Sequence, residues 1–247
     1  MVCLLVVFTL FSLACSGADL PPPPPDIAPP TIRELAPGVW QVGDMRVEKA
    51  EESVRFPARM NMTEGLLEYV LVREQGKDHE SLLTTSVQPY HLQVAMLLLG
   101  AKGADPKLLT NAPPSGPIRA TESVSASPPI PGDTVAVEVE WVADGRTNRR
   151  PAAALLLNKK TGEPMSSGSW TFSGSMVWEG VFIAQIEGSI IAVISDIGAQ
   201  FNNPRPDRDE DSLWEANTKI LPPERHPVSV IVRRINSRTG TSKNTLP

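Results

Sequence analysis

Apolar and polar positions alternate with period two over much of this chain. The cleanest stretch is Thr134 to Val142, where Val135, Val137, Val139 and Trp141 alternate with Thr134, Ala136, Glu138 and Glu140. That pattern predicts a strand whose valines and Trp141 face a core. Asp144-Gly145 follows with the chemistry of a tight turn. Val39 to Val47 holds two short runs around Gly43-Asp44, which predicts a hairpin. Leu66–Val72, Ser81–Val87, Ala152–Leu157, Val177–Ile186, Ser189–Ile194 and Val228–Val232 read as further strands. Glu187-Gly188 reads as a hairpin turn between two of them. One segment departs from this rhythm. Pro89 suits a first helical turn, Leu92 and Val94 to Leu99 follow as an apolar run around Gln93, and Gly100 supplies a C-terminal cap. A helix apolar all round is expected to be buried on most faces. The expected fold is therefore α+β and β-dominated, a mainly antiparallel sheet with one central buried helix at about 89–100.

The two ends carry a different pattern. Met1 to Ala14 is an apolar run of signal-peptide length, too short for the roughly 20 residues that span a bilayer. Ser12-Leu13-Ala14-Cys15 resembles a bacterial lipobox, in which the cysteine thiol takes a lipid before cleavage. It departs from the usual form by having Ser12 where leucine is normal and by lacking a basic start. Cleavage and release is one alternative outcome, and an uncleaved buried helix is another. Ser16 after the cysteine matches the outer-membrane form of such signals. Pro21 to Pro30 contains seven prolines, a stiff spacer of roughly 30 Å if it holds polyproline II. The expected organisation is a signal peptide at 1–14, a lipid-anchor site and tether at 15–36, one domain at 37–236 and a disordered tail at 237–247. Gly103 to Ser127 is expected to be an irregular connection.

Composition narrows the chemistry. The only cysteines are Cys3, inside the signal, and Cys15. With Cys15 acylated, the domain holds no thiol for a disulfide, a cysteine nucleophile, an iron–sulfur cluster or a thiolate zinc site. The formal net charge of −5 and the lack of a basic stripe argue against nucleic acid. The expected partners are a membrane, through the anchor, and a protein or small molecule that the sequence does not identify. No cofactor is expected.

Candidate chemistry gathers in Lys77-Asp78-His79-Glu80-Ser81, which places acid, base and hydroxyl groups in a turn between two strands. A histidine beside a carboxylate suits proton transfer or metal binding, and the same residues could equally fix the turn by hydrogen bonds. The catalytic candidates are His79, Glu80, Ser81 and Glu68, and the ligand-binding candidates are Lys77, His79 and Glu80. Glu68 interrupts an apolar strand and needs a partner, for which Lys77 and Arg73 are available. His79, Glu80 and His91 could form a two-histidine, one-carboxylate site, but the spacing is not that of a helical metal motif, so no metal is expected. Asp207-x-Asp209-x-Asp211 begins like a calcium loop, yet has Ser212 where glycine is needed and Thr218 where glutamate is needed. No nucleophile elbow, phosphate-binding loop or dinucleotide fingerprint is present.

Several blocks, in order and spacing, resemble the YdjY-like family, a bacterial domain of unknown function. They are Val54-Arg55-Phe56-Pro57-Ala58-Arg59-Met60-Asn61-Met62 leading to Glu64-Gly65-Leu66-Leu67-Glu68, then Gly76-Lys77-Asp78-His79-Glu80-Ser81-Leu82, Pro89-Tyr90-His91, and Leu97 to Lys102. Trp214-Glu215-Ala216-Asn217-Thr218, Leu221-Pro222-Pro223 and Pro227-Val228 complete the likeness, which covers roughly residues 54–233. A ferredoxin-type label attached to some members implies a cluster that this chain has no cysteines to hold. The resemblance implies no activity. The functional expectation is an exported cell-envelope lipoprotein with a non-enzymatic module for a ligand or partner. The alternative is a hydrolase or metal-dependent enzyme using His79, Glu80 and Glu68.

Overall fold

The computed structural model describes residues 20–105, apart from Pro22 and Pro25, and residues 129–235. The expected signal peptide, Cys15, most of the connection before Ser127 and the tail at 237–247 lie outside the described residues. The elements run β1 (Ile32–Ala36), β2 (Val39–Val42), β3 (Met45–Glu48), β4 (Ser53–Met60), β5 (Tyr69–Arg73), β6 (Ser81–Thr85), α1 (Pro89–Leu98) and β7 (Asp133–Ala143). They continue with β8 (Arg146–Pro151), β9 (Leu156–Asn158), β10 (Trp170–Phe172), β11 (Val177–Trp178), β12 (Val181–Phe182), β13 (Ser189–Ala192), β14 (Phe201–Asn202), β15 (Trp214–Ala216) and β16 (Pro227–Arg234).

The expectation of a β-dominated fold holds, but the sheet is neither open nor mainly a carrier for a central helix. Eight strands close a barrel in the order β4–β16–β7–β10–β14–β13–β5–β6 and back to β4. The closing pair is short, with Arg59 opposite Thr84 and Met60 opposite Leu83. The ring is mixed, because β5–β6 and β13–β14 are parallel. Closure removes the unpaired edges that an open sheet would present. The meander β1–β2–β3 extends from β4 outside the ring. Its first strand begins at Ile32, inside the segment read as tether.

The strongest alternation in the sequence is realised fully. Val135, Val137, Val139 and Trp141 on β7 are at most 6% exposed and join the main core, while Glu138 and Glu140 lie outside it. Phe56, Met60, Leu83, Trp170, Phe172, Phe201 and Val230 supply other strands' share of that core. Asp144 and Gly145 have φ of 51° and 69°, the turn geometry that joins β7 to β8.

Helix α1 forms where expected and Gly100 ends it, but its place differs from the expectation. It lies beside β3 and the short helix Ile183–Glu187, with Leu92, Ala95 and Met96 entering the main core. Six of its ten residues are buried, with Tyr90 packed on Phe182 and Ala184, so the helix is buried on most faces, as expected, and only Leu98 is exposed. His91 donates from Nε2 to the Ala28 carbonyl at 2.9 Å, which ties the end of the proline-rich segment to the helix start.

Three strand expectations are corrected. Ala152–Leu155 is a 3-10 turn and only the residues from Leu156 extend as β9. Val177–Ile186 splits into the hairpin β11–β12 and the helix Ile183–Glu187. Gly188 is that helix's cap, at φ 73°, and not a hairpin turn. Apolar runs of four to six residues satisfy strand and buried-helix templates alike, so length alone could not separate them. Among the described residues no helix is long and apolar enough to cross a membrane.

Candidate functional site

The parallel pairing of β5 with β6 shapes the region that the sequence singled out. Tyr69 lies opposite Ser81 and Arg73 opposite Thr85, so both strands start at the same end. Residues 74–80 must therefore travel back along the whole of β5, about 13 Å at about 3.3 Å per residue. They are not a simple turn between neighbouring strand ends. The path starts with Gln75 at φ 69° and then presses against the backbone at Gly76. A Cβ there would stand 2.9 Å from the Arg73 oxygen and 3.0 Å from the Glu187 oxygen, so no larger residue fits without a shift. The return path lays Lys77 across Tyr69, with Nζ 5.0 Å from the ring centroid.

Lys77 is thereby drawn away from Glu68, His79 and Glu80. Its ammonium donates to the Tyr69 hydroxyl at 2.8 Å and to Glu187 Oε2 at 3.1 Å, and lies 3.7 Å from Asp196 Oδ2. The Tyr69 hydroxyl donates in turn to Asp196 Oδ2 at 2.8 Å. The other Asp196 oxygen accepts the Gly198 N–H at 2.8 Å. Each donor in this Tyr69–Lys77–Asp196–Glu187 group faces an acceptor, as a half-buried polar network requires. Burial and then Asp196 push the Tyr69 phenol far above its usual range. Burial pulls the Lys77 ammonium down, but Asp196 and Glu187 outweigh it and hold the group above its ordinary value. Both groups keep their protons at neutral pH, so neither is poised as a base.

The remaining candidates are spread over two faces of the 3-10 turn Asp78–Glu80. His79 is 77% exposed, 3.8 Å from Glu80 Oε2 and 4.0 Å from Asp78 Oδ1. Ser81 is fully buried and its hydroxyl donates to the Leu83 carbonyl at 2.8 Å. Glu68 precedes β5 and does not interrupt it; its carbonyl accepts Val193 N–H at 2.7 Å, and its carboxyl has neither Lys77 nor Arg73 as an ion-pair partner. Burial, then Glu80 and Asp211, raise the Glu68 carboxyl above the ordinary carboxylate range, against the pull of Lys77 and His79. His91 and His226 bond to backbone carbonyls elsewhere, at Ala28 and Val142. Asp207 and Asp209 turn to Asn203 and Ser195. Among the described residues no three metal-ligating side chains of the His, Cys, Asp and Glu types come together.

A second feature adjoins the turn through Asn61, which donates to the carbonyls of Asp78 at 2.6 Å and Ser81 at 2.7 Å. On the other side of Asn61 opens a cleft of about 420 Å³, lined by Arg59, Met60, Asn61, Glu74, Thr84, Glu224 and Arg225. It lies at the barrel's closing seam, where Arg59 faces Thr84. Arg225 sits at φ 61°, unusual for a residue with a side chain, held by its N–H to the Met60 oxygen at 2.8 Å. The next residue returns the bond, its carbonyl accepting Met60 N–H at 3.0 Å. Arg59, Arg225, Glu74 and Glu224 form no ion pair within 4.0 Å with any described residue. Two cations and two anions thus surround one space without neutralising each other.

Residues 45–233, more than half of the chain, match the family model of the YdjY domain. The chain belongs to the YdjY domain family. No curated protein and no solved structure matches it. The match begins within β2–β3 and ends in β16, so it takes in the whole closed ring. Within this YdjY domain, sequence reasoning missed Tyr69, Asp196, Glu187 and the four charged residues of the cleft. Tyr69 and Asp196 are 127 positions apart and carry no local motif. The signal that was present is Gly76-Lys77, a glycine for close approach before the cation that lies over Tyr69.

Proposed function

We propose that this YdjY domain is a ligand-binding module of the cell envelope, exported and tied through a lipid on Cys15 to the outer membrane, facing the periplasm or the cell surface. The cleft at the barrel seam carries the reading. Its volume of about 420 Å³ lies in the range of small-molecule sites, and its four charges form no ion pair with a described residue. The arrangement of the other polar groups agrees with binding rather than turnover. Lys77 and Tyr69 are held protonated in a closed network, the Ser81 hydroxyl is buried against a carbonyl, and His79 stands in solvent.

Two measurements test this. Cys15→Ala should move the protein from the membrane pellet to the soluble fraction, and retention in the pellet counts against the anchor. In thermal-shift assays with free amino acids, inorganic phosphate and dicarboxylates, at least one should raise the melting temperature of the wild type. That shift should vanish in Arg59→Ala and Arg225→Ala. A shift that survives both substitutions removes the cleft from the proposal.

A further inference from the structure

The arrangement of charge in the cleft restricts what it can hold. Arg59 and Arg225 offer guanidinium forks suited to a carboxylate. Glu74 and Glu224 offer acceptors suited to an ammonium. A simple anion would satisfy the arginines and leave two carboxylates facing it. A simple cation would do the reverse. Either imbalance costs affinity, because like charges at close range repel and unmet polar groups lose their water. A ligand with one charge of each sign meets both pairs at once.

The neutral part of the lining points further. Asn61 commits both amide hydrogens to the carbonyls of Asp78 and Ser81, and among the described residues no donor reaches its Oδ1. The Thr84 hydroxyl, also in the lining, makes no hydrogen bond to a described residue. One free acceptor and one hydroxyl match the N–H and C=O of a peptide group. Two opposite charges separated by an amide describe a short peptide with both termini free.

Resting on the binding reading above, we infer that the cleft selects a zwitterionic di- or tripeptide, with its C-terminal carboxylate on Arg59 and Arg225 and its N-terminal ammonium on Glu74 and Glu224. The backbone bonds between Arg225, His226 and Met60 fix where the Arg225 side chain leaves the main chain before the ligand arrives, which lowers the backbone part of the ordering cost of binding.

Isothermal titration of the full-length protein with L-alanyl-L-alanine, its N-acetyl form, its C-terminal amide and phosphoethanolamine tests the assignment. The free dipeptide should bind, and each blocked form should bind at least about tenfold more weakly. Arg59→Ala should bring the dipeptide down to the level of its amide without changing the amide. Glu74→Gln should likewise equalise the dipeptide and the N-acetyl form. This crossed pattern would not arise from general destabilisation. Equal binding of free and blocked dipeptides, or tighter binding of phosphoethanolamine, overturns the peptide assignment and leaves a binding cleft standing. Failure of all four probes, together with no cleft-dependent shift from the amino acids, phosphate or dicarboxylates, overturns the binding reading as well.

Discussion

Two charged clusters flank the same pair of strands, and they are built on opposite plans. Over β5, Lys77, Tyr69, Asp196 and Glu187 close on one another through three hydrogen bonds of 3.1 Å or less. At the seam beside β6, Arg59, Arg225, Glu74 and Glu224 stand around a space, and none of them forms an ion pair with a described residue. The first cluster is buried enough that an unmet charge would be costly, so selection for folding is sufficient to explain it. The second is exposed, where water can serve each charge and folding gains little from any particular arrangement. Charged residues that the fold does not need are the better candidates for a ligand. The cluster with the strongest pKa perturbation is thus the poorer functional candidate, because its perturbations hold protons in place.

That contrast predicts unequal responses to substitution. The largest belongs to Asp196→Ala, which strips the acceptor from Tyr69 and a counter-charge from Lys77. A loss of about 2–4 kcal/mol in urea unfolding is expected, with Asp196→Asn costing less because it keeps an acceptor. A loss below about 0.5 kcal/mol would mean the network contributes little and would erase the distinction.

The pH dependence is the next largest effect. Lys77 and Tyr69 bind their protons more tightly in the folded state than at their ordinary values of 10.5 and 10.0. For groups with raised values, the contribution to stability is fully present below the unfolded value and is lost as pH climbs through the folded one. The urea midpoint should therefore fall above about pH 10, and Lys77→Met should flatten the fall. An unchanged slope in that variant would show that the ammonium is not coupled to folding.

The smallest effects on stability belong to the cleft. Arg59→Ala should change the unfolding free energy by no more than about 0.5 kcal/mol while abolishing the ligand-dependent thermal shift. Arg225→Gly should be neutral or slightly stabilising, since glycine adopts the left-handed backbone at no steric cost. A large loss of stability in either variant would place the cleft with the structural network and remove the basis of the contrast.

Much of the barrel wall was legible in the chain. The alternation on β7 was realised residue for residue because one face of a strand must be apolar when the other meets solvent. Pro89 and Gly100 marked α1 because their backbone limits act locally. The family blocks from Val54 to Val228 were also readable, since order and spacing survive in the linear sequence. Short apolar runs such as Val177–Ile186 were not decided locally, and tertiary packing made a hairpin and a helix of them. The candidate site was legible only as a neighbourhood. His79, Glu80 and Ser81 are adjacent in sequence, yet one is in solvent, one half-buried and one enclosed.

What the amino-acid order determined by itself is the alternating strand β7 with its turn, the span of α1, and that residues 16–247 hold no cysteine. What only the tertiary structure decided is which strands are neighbours. Parallel pairing of β5 with β6 sends the connection back over Tyr69, and closure of β4 on β6 assembles the cleft from four separate segments. Neither pairing has a local signature, because strand order depends on the balance of contacts between residues far apart in the chain.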